Sequence, residues 1–431
     1  MLTISRFIFV AIIARHLSII DFGQYAYGQW MADLVFLVCS MGVAGAIGRY
    51  VAEFRHDPAL LASFARYLRP FAIGFPWLAA ALVPLGVWVS GLVLEPSVII
   101  MLSLLTLGNG LWAMQTAALS GLQRFDLIFL ANIAAAVILI GGALLMSLGS
   151  KGLGYVFGIM SLAALCAVIV GYSATRRLTY GATGTVEPAR LRAIRGYAIN
   201  IWITALLWSL VWSRGELPVV RAYLGDDGVA RYAAVLTLFG GAIQGVMLAV
   251  SAVAPHLTML WGAGRHDEAI TTARSIMDFQ LLLCSAGALI LICIGPEILL
   301  LAFGNKYDQA ATPLSFLAVG LLAMAVSCQN HLLQIATDGR FSRNTMLVGL
   351  IMLFALAWYL TQFFQLTGAA AARAGTMLFM SGITIFVGAK RWGKYSFSWG
   401  NIIVAYGTIC ITTVGLFLIE DPQVELRIIV L

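Results

Sequence analysis

Charge is what this 431-residue sequence has least of: Asp, Glu, Lys and Arg together make up only 10% of it. A soluble chain of this length needs roughly a quarter of its residues charged to cover its surface. The deficit therefore excludes a string of water-soluble domains. Polar stretches long enough to form one are missing too. Nor is there a CxxC pair or a Cys/His cluster, because Cys39, Cys166, Cys284, Cys293, Cys328 and Cys410 each lie alone inside apolar runs. That spacing speaks against a disulfide framework or a zinc site and leaves the thiols as small hydrophobes. A GxxxxGKS/T phosphate loop is lacking, so the sequence offers no nucleotide site of that kind. The first apolar run contains Arg15 and His16 and no small-residue cleavage site, so it reads as a retained helix rather than a signal peptide.

What fills the sequence is hydrocarbon. Hydrophobic residues make up 61% of it, and the mean hydropathy is +0.94. The apolar runs are continuous rather than alternating, which predicts membrane-crossing helices and not barrel strands. Thirteen spans are expected, near 2–20, 24–48, 68–92, 98–119, 127–148, 152–173, 198–220, 229–254, 275–301, 312–335, 344–364, 368–389 and 399–419. With the N-terminus in the cytoplasm, 18 of the 26 Lys and Arg fall in inner connections. Arg15, Lys151, Arg221, Arg231, Lys306, Arg373 and Arg427 then fall outside, and Arg214 lies within a span. This asymmetry favours the stated orientation. The net charge of +7 is thereby accounted for without nucleic acid.

The polar stretch 176–197 predicts a cytoplasmic linker between a six-helix bundle at 1–175 and a second at 198–390, with 391–431 holding an additional C-terminal span. Two echoes support a repeat. ARHLSIIDFGQYAYG (Ala14 to Gly28) and VRAYLGDDGVARYAAV (Val220 to Val235) share Arg, Leu, acidic, Gly and Tyr-Ala positions in that order. LQRFD (Leu122 to Asp126) likewise matches DGRFS (Asp338 to Ser342). The fold class expected is thus all-α polytopic, with two bundles in parallel repeat, an arrangement used by secondary transporters.

Ionisable residues inside spans are expensive and therefore candidates for function. Arg214 and Glu216 stand in span seven, two positions or ~200° apart, so at least one faces the interior. Arg214 suits an anionic substrate; its alternative is pairing with a neighbouring helix. Arg15, at the outer end of span one, is either a substrate contact or an interfacial arginine. Arg49 with Glu53 reads as an inner gate or as an ordinary i,i+4 pair. Asp33, well inside span two, and Glu216 are candidates for binding H+ or Na+. Asp278 and Glu297, near the ends of span nine, are expected to face water or headgroups. Gln329, Asn330 and His331 suit either sugar hydroxyls or bonds between helices. Glycines at Gly42, Gly45 and Gly48, at Gly154 and Gly158, and at Gly241 and Gly245 predict close helix packing, and Pro76, Pro84, Pro255 and Pro296 predict kinks.

Across Ala14 to Phe54 the sequence resembles the opening of bacterial polysaccharide biosynthesis proteins, with an ARxL…FGxY turn followed by RYVAE. Ser251 to Ala269, Phe303 to Gly320 and Gln334 to Gly349 carry further likeness. The resemblance is to the O-antigen-type flippases of the multidrug/oligosaccharidyl-lipid/polysaccharide (MOP) exporter superfamily. It implies a V-shaped pair of six-helix bundles in the inner membrane. It further implies translocation of a polyprenyl-pyrophosphate-linked oligosaccharide from the cytoplasmic to the periplasmic leaflet by alternating access. Neither a cofactor, nor a metal, nor enzymatic catalysis is expected; the partners implied are the lipid-linked oligosaccharide, membrane lipids and polysaccharide polymerase machinery. A drug or small-cation exporter of the same superfamily is the nearest alternative. A membrane O-antigen polymerase or ligase is the alternative of another class, and the short outer connections weigh against it.

Overall fold

A computed structural model describes residues 2–149, 152–175, 187–250, 253–337, 339–393, 398 and 400–409. Among these residues every regular element is helical, as a chain that must satisfy its backbone within lipid requires. The chain separates into two compact units, Met1–Ser209 and Leu210–Leu431. The expected linker lies partly outside the described residues.

The first unit contains α1 (Leu2–His16), α2 (Ile19–Ser40), α3 (Val43–Phe54), α4 (Pro58–Val89), α5 (Pro96–Gly121), α6 (Phe125–Ser147), α7 (Leu153–Thr175) and α8 (Pro188–Trp208). The turn between α1 and α2 is written in local chemistry. His16 Nδ1 bonds the Ile12 carbonyl at 2.8 Å, while Ser18 Oγ accepts the Asp21 amide at 3.0 Å and caps α2. The expected second span is bent by 57° between α2 and α3. Met41 and Gly42 adopt left-handed φ values of 46° and 73° there, which ends one helix and restarts the next.

A π turn over Ser209–Arg214 straddles the boundary, and the second unit continues with α9 (Leu217–Val250), α10 (Val253–Gly262), α11 (His266–Cys293) and α12 (Gly295–Phe303). Next come α13 (Ala311–Val319), a buried 3-10 stretch at Gly320–Val326, α14 (Ser327–Ala336), α15 (Arg340–Trp392) and α16 (Gly400–Ile409). Pro296 opens α12 rather than kinking a span.

Two helical runs are too long for one crossing. Pro188–Met247 has 60 residues and Arg340–Trp392 has 53, against ~20 for a hydrocarbon core of ~30 Å. Each folds back at a residue of positive φ, Gly225 at 65° and Gln365 at 52°. The Tyr232 hydroxyl lies 2.9 Å from Glu216, although sixteen residues of straight helix would separate them by ~24 Å. Both runs therefore hold two spans each, as the hydropathy predicts, and the protein is a multi-pass membrane protein.

The echoes between the halves have structural counterparts. Tyr25-Ala26 and Tyr232-Ala233 are all buried. Gln123 and Gly339, each one residue before the echoed arginine, have φ values of 59° and 79°. A third echo is Arg55-His56-Asp57 and Arg265-His266-Asp267, at the starts of α4 and α11. The three pairs are 207, 216 and 210 positions apart in the same order. That agreement supports the parallel repeat.

Candidate functional site

In the first unit the site is set up by missing side chains. A Cβ at Gly42 would sit 2.0 Å from the Ala198 carbonyl oxygen, and one at Gly45 would sit 3.0 Å from Ile201. Their hydrogens let α8 approach α3 closely, one to two turns before Arg49. Gly42→Ala combines that clash with a left-handed φ. It is expected to cost about 1–3 kcal/mol by overpacking, seen as a lowered unfolding midpoint of the purified protein.

The close approach brings two arginines and three tyrosines together at one end of the unit. The Arg49 guanidinium lies 4.4 Å from the Tyr197 ring centre and 5.5 Å from that of Tyr50. The two rings meet edge to face at 5.9 Å. On the neighbouring turn, Arg195 donates from Nε and Nη2 to the Tyr67 hydroxyl, both at 3.1 Å. Arg49 is exposed and, among the described residues, makes no ion pair with Glu53. The expected i,i+4 pair is replaced by ring contacts, because α8 supplies Tyr197 where α3 alone would supply only a carboxylate. A guanidinium lying on an aromatic face is held in place while its N–H edge stays open to phosphate oxygens.

In the second unit a buried charge network joins three spans. Arg373 Nη1 donates to Glu216 Oε1 at 2.7 Å and to Oε2 at 2.9 Å. Its Nη2 donates to the Trp212 carbonyl, and the Tyr232 hydroxyl donates to Glu216 at 2.9 Å. The side chains of Arg373 and Glu216 are 3% and 0% exposed. Arg373 was expected in an outer connection, and the structure instead buries it eight residues past the Gln365 break. Glu216 lies nine residues before Gly225 and Tyr232 seven after it, so all three sit about 10–14 Å of helix from the turn at which their run folds back. The run of small residues from Gly368 to Ala372 just before Arg373 was the available signal, since only close packing can shield a guanidinium there. Gly215 makes the local bend possible, because a Cβ there would lie 1.9 Å from the Leu210 carbonyl oxygen, five residues back across the π turn.

The remaining candidates are dispersed. Arg15 ends α1 and is exposed, Asp33 is exposed on α2, and Arg214 is half-buried at the end of the π turn. Asn330 is half-buried, and the His331 ring bonds Thr258 Oγ1 and the Ala254 carbonyl, each at 3.2 Å, tying α14 to α10. Gln329 is buried against Met277. Asp278, expected to face water or headgroups, is half-buried and accepts from Ser398 at 2.8 Å and Asn401 at 3.3 Å, whereas Glu297 is exposed. Three of the seven leading candidates (Arg15, Asp33, Arg49) thus belong to the first unit, and four (Arg214, Glu216, Asn330, His331) to the second. Among the described residues, no helix packs against Gly241 or Gly245. Among the described residues no group of three or more His, Cys, Asp or Glu could hold a metal ion.

The family model described as polysaccharide biosynthesis protein matches residues 1–261. No curated protein matches in sequence. Among solved structures, the inward closed conformation of the lipid II flippase MurJ superposes with a TM-score of 0.72 at 11% identity, covering 97% of this chain and 91% of the other. The inward-facing conformation of a multidrug resistance MATE family transporter of the MOP superfamily gives 0.71 at 12% identity, over 91% and 94% of the two chains. A MATE transporter from Vibrio cholerae, VcmN, gives 0.65 at 12% identity, over 90% and 93%. At these identities the likeness establishes a shared fold.

Proposed function

Because this chain belongs to the polysaccharide biosynthesis protein family and has the fold of MOP transporters and flippases, we propose that it translocates a polyprenyl-pyrophosphate-linked oligosaccharide. The direction is from the cytoplasmic to the periplasmic leaflet of the inner membrane, by alternating access. The observation that carries this reading is Arg49, exposed and held over Tyr197 at 4.4 Å. A pyrophosphate cannot enter a low-dielectric interior without cations to meet it. Arginine meets phosphate with a planar fork, and the half-buried rings of Tyr67 and Tyr197 alongside offer flat surface to sugar. Arg195, bonded to Tyr67, adds a second cation on the same side. Arg214, Arg15, Asn330 and His331 are further positions along the substrate's route in this reading. Asp33 and Glu216 are the acidic positions at which H+ or Na+ coupling would act, Glu216 through its pairing with Arg373.

The test compares source cells with and without the gene and determines which leaflet holds their polyprenyl-linked glycans. Accumulation of a complete glycan on the cytoplasmic leaflet is expected on deletion. Unchanged leaflet distribution would overturn the reading and direct attention to drug export.

A further inference from the structure

A cavity of 180 Å³ lies within the first unit, between α3, α4, α5 and α7. Its walls are mostly apolar, with Ile47 and Val51 from α3, Phe64 and Leu68 from α4, and Met114 and Ala118 from α5; Gln115 of α5 is the polar exception. Its rim differs: Arg69 and Ile73 of α4 and Tyr172 of α7 are all exposed. The volume is below the ~300–1,000 Å³ of sites that enclose a whole drug-sized molecule. It suits part of a chain instead. A mostly apolar slot with one cation at its edge is complementary to an amphiphile whose phosphate adjoins a hydrocarbon tail.

The position of the cavity narrows the choice of amphiphile. It shares two helices with the arginine–tyrosine cluster and lies on their other face. On α3, Ile47 and Val51 line the cavity while Arg49 between them points to Tyr197. On α4, Tyr67 bonds Arg195 while the next two residues, Leu68 and Arg69, line the cavity. Phosphate-binding groups and a tail slot are thus set side by side on α3 and α4. Arg69 is eleven residues from the start of α4, about 16 Å along its axis, within the leaflet that the charge asymmetry assigns to the cytoplasm.

We infer that this cavity seats the phosphate-proximal isoprene units of the carried lipid, with Arg69 on its phosphate, before the sugar-bearing headgroup is moved. This rests on the flippase reading above. It adds a loading site for the tail in the first unit, apart from any path taken by the glycan.

The test uses the purified full-length protein in detergent micelles, titrated with undecaprenyl monophosphate and separately with phosphatidylglycerol, with bound lipid read by native mass spectrometry. Undecaprenyl phosphate is expected to bind at least tenfold tighter than phosphatidylglycerol. Ala72→Trp, which fills the cavity, and Arg69→Gln are each expected to weaken it at least tenfold. A photoreactive amino acid at the exposed position Ile73 avoids the risk that Ala72→Trp misfolds, and its adduct is expected to carry the mass of the polyprenyl lipid. Equal affinity for the two lipids, or a phospholipid adduct alone, would make the cavity a seat for bilayer lipid and overturn the inference. Undiminished polyprenyl binding by both variants would do the same. Binding is read without transport, so the two readings fail separately. Loss of binding with the leaflet defect intact removes only the tail site, and binding without a leaflet defect removes only the flippase.

Discussion

Arg373→Ala is expected to destabilise the protein by about 3–5 kcal/mol, the cost of leaving a buried charge without its partner. Glu216 would then be buried with only the Tyr232 hydroxyl and its own backbone to stabilise it. Glu216→Ala should cost a similar amount, because Arg373 would retain only the Trp212 carbonyl, and its Nε already lacks an acceptor. The double replacement Glu216→Leu with Arg373→Met should recover most of the loss, since an apolar pair of similar volume avoids the desolvation of both ions. The Tyr232 hydroxyl can then turn to the Ala369 carbonyl, 3.4 Å away. Denaturant unfolding of the three variants in one detergent checks this. Single variants as stable as the parent would mean that water reaches the pair.

Arg49→Ala is expected to slow translocation roughly ten- to a hundredfold while leaving membrane abundance unchanged. Hydrogen bonds to a charged group are worth ~1.5–3 kcal/mol, and each 1.4 kcal/mol is a factor of ten. Abundance should hold because Arg49 is exposed and, among the described residues, pairs with no acid, so its removal leaves no charge stranded. Arg49→Lys should restore only part of the rate, as an ammonium keeps the charge but loses the fork and the flat contact with Tyr197. The measurement is the transfer rate of a polyprenyl-pyrophosphate glycan in proteoliposomes, normalised to reconstituted protein. Full activity in Arg49→Ala would remove this residue from the substrate's path.

The spans were legible because lipid imposes a length: a run of 53 residues can only be two crossings, wherever it breaks. The cap at Ser18 was available but not read: Ser18 before Asp21 is a local signal, yet the first span was expected to run through it to residue 20, whereas α1 ends at His16 and α2 starts at Ile19. Glu216 stood out because an acid inside a span is costly. Its partner did not stand out. Arg373 is 157 residues away in the chain and lies near the end of its span, where an arginine normally reaches the headgroups. Only the fold at Gln365 turns it inward. The Arg49–Tyr197 contact was hidden for a related reason. Spacing on α3 offered Glu53, whereas the ring that takes its place comes from another helix admitted by Gly42 and Gly45. Sequence patterns reveal neighbours within one helix; contacts between helices depend on which ones come close.

The π turn at Ser209–Arg214 also bears on how this gene can vary in length. Such a turn holds one residue more than the α-helical turn it replaces. Deleting a single codon there would restore ordinary winding and turn Glu216 by ~100° relative to the residues before the deletion. Arg373, which bonds both the Trp212 carbonyl and Glu216, could then no longer reach the two at once. An inserted codon would overshoot in the other sense. Surface loops accept such changes because slack absorbs them, but this segment has none: its residue count is itself a structural parameter. Homologues that keep the Glu–Arg pair should therefore keep the spacing between their counterparts of Ser209 and Glu216, even where the residues between differ.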